Sequence, residues 1–97
     1  MFTYIGVIHK DHDSDYGVSF PDFPGCITAG STIEEAKKMA YEALVFHIEG
    51  MIEDNEKLPI PSNLEMIVRN DDFANGLAFL IVSVPDDVYS EKLQKVA

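Results

Sequence analysis

Basic residues and cysteine are scarce in this sequence of 97 residues. Seven Lys and Arg stand against seventeen Asp and Glu, so the formal net charge is 7 − 17 = −10. Proteins hold a nucleic-acid phosphate backbone with clustered Lys and Arg, and this balance therefore argues against direct nucleic-acid binding. A basic protein partner suits the charge better, although an acidic surface that provides only solubility would carry the same charge.

Cys26 is the only cysteine, which excludes an intrachain disulfide and a cysteine-based metal cluster. A single cysteine is typical of a reducing compartment, and we expect a cytoplasmic protein. A carboxylate-rich chain does not provide the electropositive pocket that activates a thiol. Cys26 is therefore predicted to be a buried structural residue and not a nucleophile.

Long hydrophobic runs are also missing. No stretch approaches the ~18 consecutive apolar residues of a transmembrane helix, and the first residues lack a charged leader before an apolar run. We therefore expect no export and no membrane anchor. The hydrophobic content of 46% is nevertheless enough for a folded core, and the length predicts one domain.

The most informative segment is residues 20–36. Pro24 favours the second position of a type II turn and Gly25 supplies the positive φ that the third position needs, so the chain is predicted to reverse there. Ser-Thr at 31–32 followed by Glu-Glu at 34–35 has the pattern of a helix N-cap with a capping box. A strand, a turn, a second strand and a helix start are thus expected in seventeen residues.

Hydrophobic periodicity and turn residues predict six elements. In chain order these are strands at 2–9, 16–20 and 26–30, a long helix at 32–54, a short helix at 64–68 and a strand at 76–84. The first strand is apolar on both faces, and the last is the most hydrophobic run, which indicates an interior strand. The expected fold is two-layer α+β, β-β-β-α-(α)-β, with a mixed sheet and the long helix packed on one face.

The sequence resembles the N-terminal, toxin-binding domain of HicB-type antitoxins of the HicAB type II toxin–antitoxin family. The resemblance covers residues 2–85 and depends on four stretches taken together. These are Tyr-Gly-Val-Ser-Phe-Pro-Asp-Phe-Pro-Gly-Cys at 16–26, Thr-Ala-Gly-Ser-Thr-Ile-Glu-Glu-Ala at 28–36, Glu-Ala-Leu with His-Ile-Glu-Gly at 42–50, and Pro-Ile-Pro-Ser at 59–62.

The resemblance implies a partial RNase H-like fold and a non-enzymatic protein that binds a small basic HicA-type mRNA endoribonuclease and occludes its active site. It also implies dimers or larger assemblies, and autorepression of the operon by full-length members through a separate DNA-binding module. We expect a toxin-binding domain at 1–85 and a polar tail or linker start at 86–97, with no DNA-binding domain in this chain. A truncated chain and a one-domain family member are both compatible with that expectation.

A metal-dependent, RNase H-like nuclease is the alternative, because clustered carboxylates hold divalent metals in such enzymes. The candidate ligands are Asp11, Asp13, Asp15 and Asp22. Their spacing is similar to half of a calcium loop, but the sixth place holds Tyr16 instead of Gly and the twelfth is not Glu. A solvated turn whose Asp and Ser bond local backbone is the preferred interpretation. We therefore assign no catalytic, metal or cofactor-binding residue and expect no cofactor.

Partner binding is predicted at one end of the first hairpin, where these carboxylates and Phe23 are expected to cluster. The predicted partner-binding residues are Asp11, Asp13, Asp15, Asp22 and Phe23. An aromatic side chain near a turn can anchor an interface, although Phe23 could equally belong to the core. His47 is expected to be half-buried without a chemical role. The two-sided apolar first strand further indicates a homodimer or higher oligomer.

Overall fold

A computed structural model describes residues 2–70, 73 and 75–85 of the chain. The strands are β1 (Phe2–His9), β2 (Tyr16–Ser19), β3 (Ile27–Gly30) and β4 (Ala78–Val84), and the helices are α1 (Ile33–Glu53) and α2 (Leu64–Arg69). These bounds lie within two residues of the predicted ones. The strand prediction at 76–84, the short second helix and the capped long helix are all confirmed.

Local chemistry sets the turn and the ends of α1. Gly25 has φ +89, and the N–H of Cys26 donates to the carbonyl of Phe23 at 2.9 Å, as the predicted type II turn requires. At the start of α1, the N–H of Glu35 donates to the Thr32 hydroxyl at 3.0 Å, and the Glu35 carboxylate accepts from the N–H of Ser31 at 3.2 Å. The capping box is thus confirmed.

The sheet has the order β3-β2-β1-β4, and all three strand pairs are antiparallel. The α+β architecture is confirmed, but the prediction of a mixed sheet was wrong. By Leu77 the chain has returned to the end of β1, since the N–H of Leu77 donates to the carbonyl of Ile8 at 2.7 Å. Because β4 starts beside the end of β1, it runs antiparallel to it.

The interior position predicted for the last strand was also wrong. β1 is an interior strand of the sheet, as its two-sided apolar pattern allows, and β4 lies at an edge. Val82 and Val84 of β4 are buried, whereas Ile81, next to Val82 in the strand, is 76% exposed. The continuous apolar run therefore reflects one packed face and one exposed face.

The core lies between α1 and one face of the sheet. Every fourth residue of α1 along one line is buried, which is the spacing of a single helix face. These residues are Ala36, Ala40, Leu44, Ile48 and Ile52. They pack in one cluster with side chains from the sheet and the loop after β2, including Tyr4, Ile8, Val18, Phe20 and Phe23.

Candidate partner-binding surface

The β1–β2 turn forms an exposed acidic tip that contains Asp11, Asp13 and Asp15. The backbone of the turn is bonded locally, since the N–H of Asp11 donates to the Ser14 hydroxyl at 2.8 Å. The Lys10 ammonium donates to the carbonyls of Asp11 at 2.9 Å and Ser14 at 2.7 Å. Local backbone bonding at this turn is what the solvated-turn interpretation predicts.

Asp22 does not lie with the other three aspartates. Asp15 precedes β2 and Asp22 follows it, so the four-residue strand, about 13 Å long, lies between them. One Asp22 carboxylate oxygen accepts from the N–H of Ser62 at 2.8 Å and the other from the Ser62 hydroxyl at 2.6 Å. The prediction of one four-carboxylate cluster was wrong, and Asp22 joins two segments of the fold instead.

Phe23 is a core residue, with 1% of its surface exposed. Its ring meets the Tyr4 ring edge-on, with centroids 4.6 Å apart, and the His47 ring at 5.7 Å. Phe23 therefore belongs to the core, which was one of the two roles considered, and the prediction that it anchors a surface contact was wrong. His47 is half-buried, as expected, and packs on the Phe23 ring.

The carboxylates do not form the metal site that the nuclease alternative requires. Among residues 2–70, 73 and 75–85, no three His, Cys, Asp or Glu side chains are grouped so that they could hold a metal ion. The calcium-loop spacing fails as well, because its last position is occupied by Asp22, which is bonded to Ser62. This arrangement gives the alternative no support.

Cys26 is buried, as predicted. Burial away from water raises the pKa of its thiol from 9.0 to about 11. Its sulfur lies 3.8 Å from the Ala43 carbonyl oxygen. The thiol is therefore protonated near neutral pH, which is the opposite of what a nucleophile needs.

A groove at the carboxyl end of α1 has the composition of a protein contact site. Its volume is about 240 Å³, and the residues that line it are Phe46, His47, Gly50, Met51, Asp54 and Glu56. Phe46 is 81% exposed, and a Cβ placed on Gly50 would have no neighbouring atom within 4 Å. An exposed aromatic ring thus stands beside an open notch, one helical turn away on the same face.

The carboxyl end of α1 is acidic in sequence. The last turn of the helix contains no basic residue, and Asp54 and Glu56 lie on the rim of the groove. The carboxyl end of a helix carries a partial negative charge, which basic side chains normally offset. A cationic partner would provide that compensation here.

Our sequence reasoning missed this groove although a signal was available. Phe46 lies two residues from both Leu44 and Ile48 and is therefore on the side of α1 away from the buried row. A large aromatic on the polar side of an amphipathic helix, four residues before Gly50, marks a surface feature.

The acidic tip and the groove lie at opposite ends of the domain. Tyr16 pairs with Gly30, which places the tip beside the start of α1. His47 contacts Phe23, which places the groove beside the Pro24-Gly25 turn at the other end of β2. The two surfaces are therefore separate candidate contacts.

With this geometry established, comparison with known proteins identifies the family. The sequence model of the protein family described as HicB-like antitoxin of bacterial toxin–antitoxin systems matches residues 4–97. The chain belongs to this family, as the resemblance implied. No helix in the part of the chain that the structure describes is long and apolar enough to cross a membrane.

Three similar proteins illustrate the match. An uncharacterized 14.9 kDa protein of Haemophilus phage HP1 is 44% identical over 74 residues, which are 76% of this chain and 55% of that protein. The crystal structure of the Burkholderia pseudomallei antitoxin HicB has a TM-score of 0.80 at 36% identity, covering 91% of this chain and 67% of that one. A HicA3–HicB3 toxin–antitoxin complex contains a chain with a TM-score of 0.71 at 26% identity. The match covers 87% of this chain and 99% of that one.

The chain therefore spans about half the length of the phage relative. The antitoxin class of the resemblance is confirmed by these matches. The likeness to RNase H folds and the division at residue 85 stay predictions.

Proposed function

We propose that this domain binds a small basic HicA-type mRNA endoribonuclease and neutralises it by covering its active site. Membership of the HicB-like antitoxin family supports this function, as does a similar chain solved in complex with HicA3. Occlusion requires binding only, and a formal charge of −10 favours encounter with a cationic protein. The domain thus acts by occupancy and not by turnover.

The observation that carries the proposal is the groove at the end of α1. Phe46 provides an exposed aromatic anchor, and Asp54 and Glu56 provide charge complementary to a basic protein. Interface hot spots are enriched in aromatic residues surrounded by weaker contacts. We therefore place the toxin contact at this groove, with Lys or Arg side chains of the toxin beside its acidic rim.

The acidic tip stays a predicted contact, and one experiment separates the two placements. Binding of the neighbouring basic ribonuclease is measured by biolayer interferometry at several salt concentrations, and neutralisation by an RNA-cleavage assay. Phe46→Ala is expected to raise Kd about 30-fold or more, mainly through faster dissociation. Met39→Ala is the control, because Met39 lies two helical turns earlier on α1 and is 36% exposed.

The tip is tested by Asp11→Lys/Asp13→Lys against Glu42→Lys/Glu65→Lys, which changes the net charge equally at exposed positions of α1 and α2. If the groove is the contact, both double variants weaken binding to a similar, salt-sensitive degree. If the tip variant loses far more affinity than its control and Phe46→Ala binds like the wild type, the toxin contacts the tip and not the groove. Failure of the wild-type chain to bind or inhibit the ribonuclease would contradict the function itself.

Autorepression, which the resemblance implies for full-length members, requires DNA binding. The described residues offer no concentration of Lys and Arg for a phosphate backbone, since the whole chain has only seven. We propose that operator binding in longer family members depends on a segment other than the toxin-binding domain.

A further inference from the structure

The segment after α1 has little conformational freedom at residues 58–61, which read Leu-Pro-Ile-Pro. Each proline has a fixed φ and also restricts the residue before it to extended backbone. All four residues are therefore restricted by their own covalent chemistry. Ile60 lies between the two prolines and is limited by the second of them.

Hydrogen bonds attach this segment to the fold on both sides of Ile60. Before it, the Pro59 carbonyl accepts from the Tyr4 hydroxyl at 2.7 Å. After it, Ser62 donates its N–H and its hydroxyl to the Asp22 carboxylate, at 2.8 Å and 2.6 Å. Ile60 is therefore carried on backbone whose position is fixed before any partner binds.

Ile60 is 87% exposed, which is the largest exposure among the large hydrophobic side chains that the structure describes. The residues at 58, 59, 61 and 62 are all half-buried, and Leu58 packs against the core. A single exposed apolar side chain on mobile backbone is common and needs no explanation. Ile60 differs because restrained backbone holds it in solvent, so a partner that buries it loses little conformational entropy.

Ile60 lies at the same end of the domain as the groove at the carboxyl end of α1. Glu56 lines that groove, and Ile60 follows it by four residues, so their Cα atoms are at most about 14 Å apart even in a fully extended chain. The aromatic contacts lead to the same end, because the Tyr4 ring packs on the Phe23 ring, which contacts His47 of the groove. A standard interface buries about 800 Å² on each partner, a patch about 30 Å across, and is wide enough to include both features.

We propose that Ile60 is a second apolar anchor of the toxin contact, prepositioned by its flanking prolines and by the Asp22–Ser62 pair. This inference rests on the proposed function, and its continuity with the groove assigns Ile60 to the same partner. The partner that fits is a basic protein with an apolar recess for Phe46, another for Ile60, and Lys or Arg side chains that face Glu56. An anchor already held in its bound position raises affinity by reducing the cost of ordering the interface.

Truncation of Ile60 tests the anchor in the full chain, with the neighbouring basic ribonuclease as the partner. Ile60→Ala is expected to raise Kd about 10-fold and to leave the midpoint of urea unfolding unchanged, because the side chain is exposed. Ile33→Ala is the control, since Ile33 is 46% exposed and lies at the start of α1. The 21-residue helix is about 30 Å long, which separates the control from the groove.

Cysteine substitution shows whether the contact at Ile60 is direct. Cys26 is buried, so Ile60→Cys and Ile33→Cys each carry one accessible thiol. Saturating ribonuclease is expected to slow alkylation of Ile60→Cys by N-ethylmaleimide about 10-fold or more, and to leave that of Ile33→Cys unchanged. Mass spectrometry of the antitoxin chain follows the reaction.

A double-mutant cycle tests the prepositioning. Ser62→Ala removes the hydroxyl bond to Asp22 and leaves Ile60 in place, so it is expected to raise Kd about three-fold through greater freedom of the anchor. In the Ile60→Ala background the same change should alter Kd by less than about two-fold, because no anchor is left to position. A purely structural role of Ser62 would give the same factor in both backgrounds.

Weaker binding by Ile60→Ala, protection of Ile60→Cys and coupling to Ser62 would together support the inference. If the wild type binds and inhibits the ribonuclease but Ile60→Ala binds like Ile33→Ala, or Ile60→Cys is not protected, the anchor is excluded and the proposed function stands. Equal effects of Ser62→Ala in both backgrounds would exclude the prepositioning. A wild type that neither binds nor inhibits would overturn the proposed function and this inference with it.

Discussion

Asp22 and Ser62 are joined by two hydrogen bonds, of 2.8 Å from the Ser62 N–H and 2.6 Å from its hydroxyl, across forty residues of sequence. The pair fixes the segment after α1 to the loop after β2. Tyr4 acts nearby in the same way, because its hydroxyl donates to the Pro59 carbonyl at 2.7 Å. The segment after α1 is thus held at Pro59 to β1 and at Ser62 to the loop after β2.

Loss of the Asp22 carboxylate should destabilise the domain. Hydrogen bonds to a charged group contribute about 1.5–3 kcal/mol, and Asp22→Ala is expected to lower the free energy of unfolding by about that much. Ser62→Ala removes only the hydroxyl bond and should cost less. Urea unfolding measures both, and Asp13→Ala, at an exposed position of the tip, should stay within about 0.5 kcal/mol of wild type. An Asp22→Ala variant as stable as Asp13→Ala would show that the Asp22–Ser62 pair does not stabilise the attachment of the segment after α1.

Phe23→Ala should damage the fold and not a binding surface. Phe23 is buried against Tyr4 and His47, and truncation of a buried Phe costs about 3–5 kcal/mol. Phe46→Ala, at an exposed position, should change unfolding by less than about 1 kcal/mol. Thermal and urea unfolding of the two variants make the comparison. Similar stability of both would contradict the core role of Phe23.

The contrast between these two phenylalanines shows what sequence alone supports. Turns, caps and element bounds depend on neighbouring residues, such as Gly25 or Thr32, and were predicted within two residues. The partner of Asp22 lies forty residues away, and β4 takes its edge position by pairing with β1, which is about seventy residues earlier in the chain. Neither can be found from local patterns, because both depend on how distant segments meet. The exposure of Phe46 could have been predicted, since its position on the polar side of α1 follows from helical periodicity.

Alanine substitution should lower the stability of the domain at Gly30 and raise it at Gly50. A Cβ on Gly30 would lie within 2.8 Å of the Ala36 Cα, inside the backbone of α1, so Gly30→Ala is expected to cost about 1–3 kcal/mol or more through overpacking. A Cβ on Gly50 has nothing within 4 Å, and alanine is the better helix former. Gly50→Ala should therefore stabilise the free domain by about 0.5–1 kcal/mol.

The same Gly50→Ala variant also tests the groove. If the toxin enters the notch beside Phe46, the added methyl group should weaken toxin binding although the free domain is more stable. Chemical denaturation and interferometry on one protein preparation give both values. A variant that is more stable and binds with unchanged affinity would place the toxin contact outside the notch.

Cys26 should make stability fall at alkaline pH. Burial raises the pKa of its thiol in the folded chain to about 11 from 9.0, so between these values the unfolded chain releases a proton that the folded chain retains. The contribution is fully present below about pH 9 and is lost progressively as the pH rises toward 11. Cys26→Ala lacks this titration, while every other ionisable group is common to both proteins. The wild type should therefore lose more unfolding free energy than Cys26→Ala between pH 9 and 11 in urea titrations. Parallel curves for the two proteins would mean that the thiol ionises equally in the folded and unfolded chain, and that its burial has no electrostatic consequence.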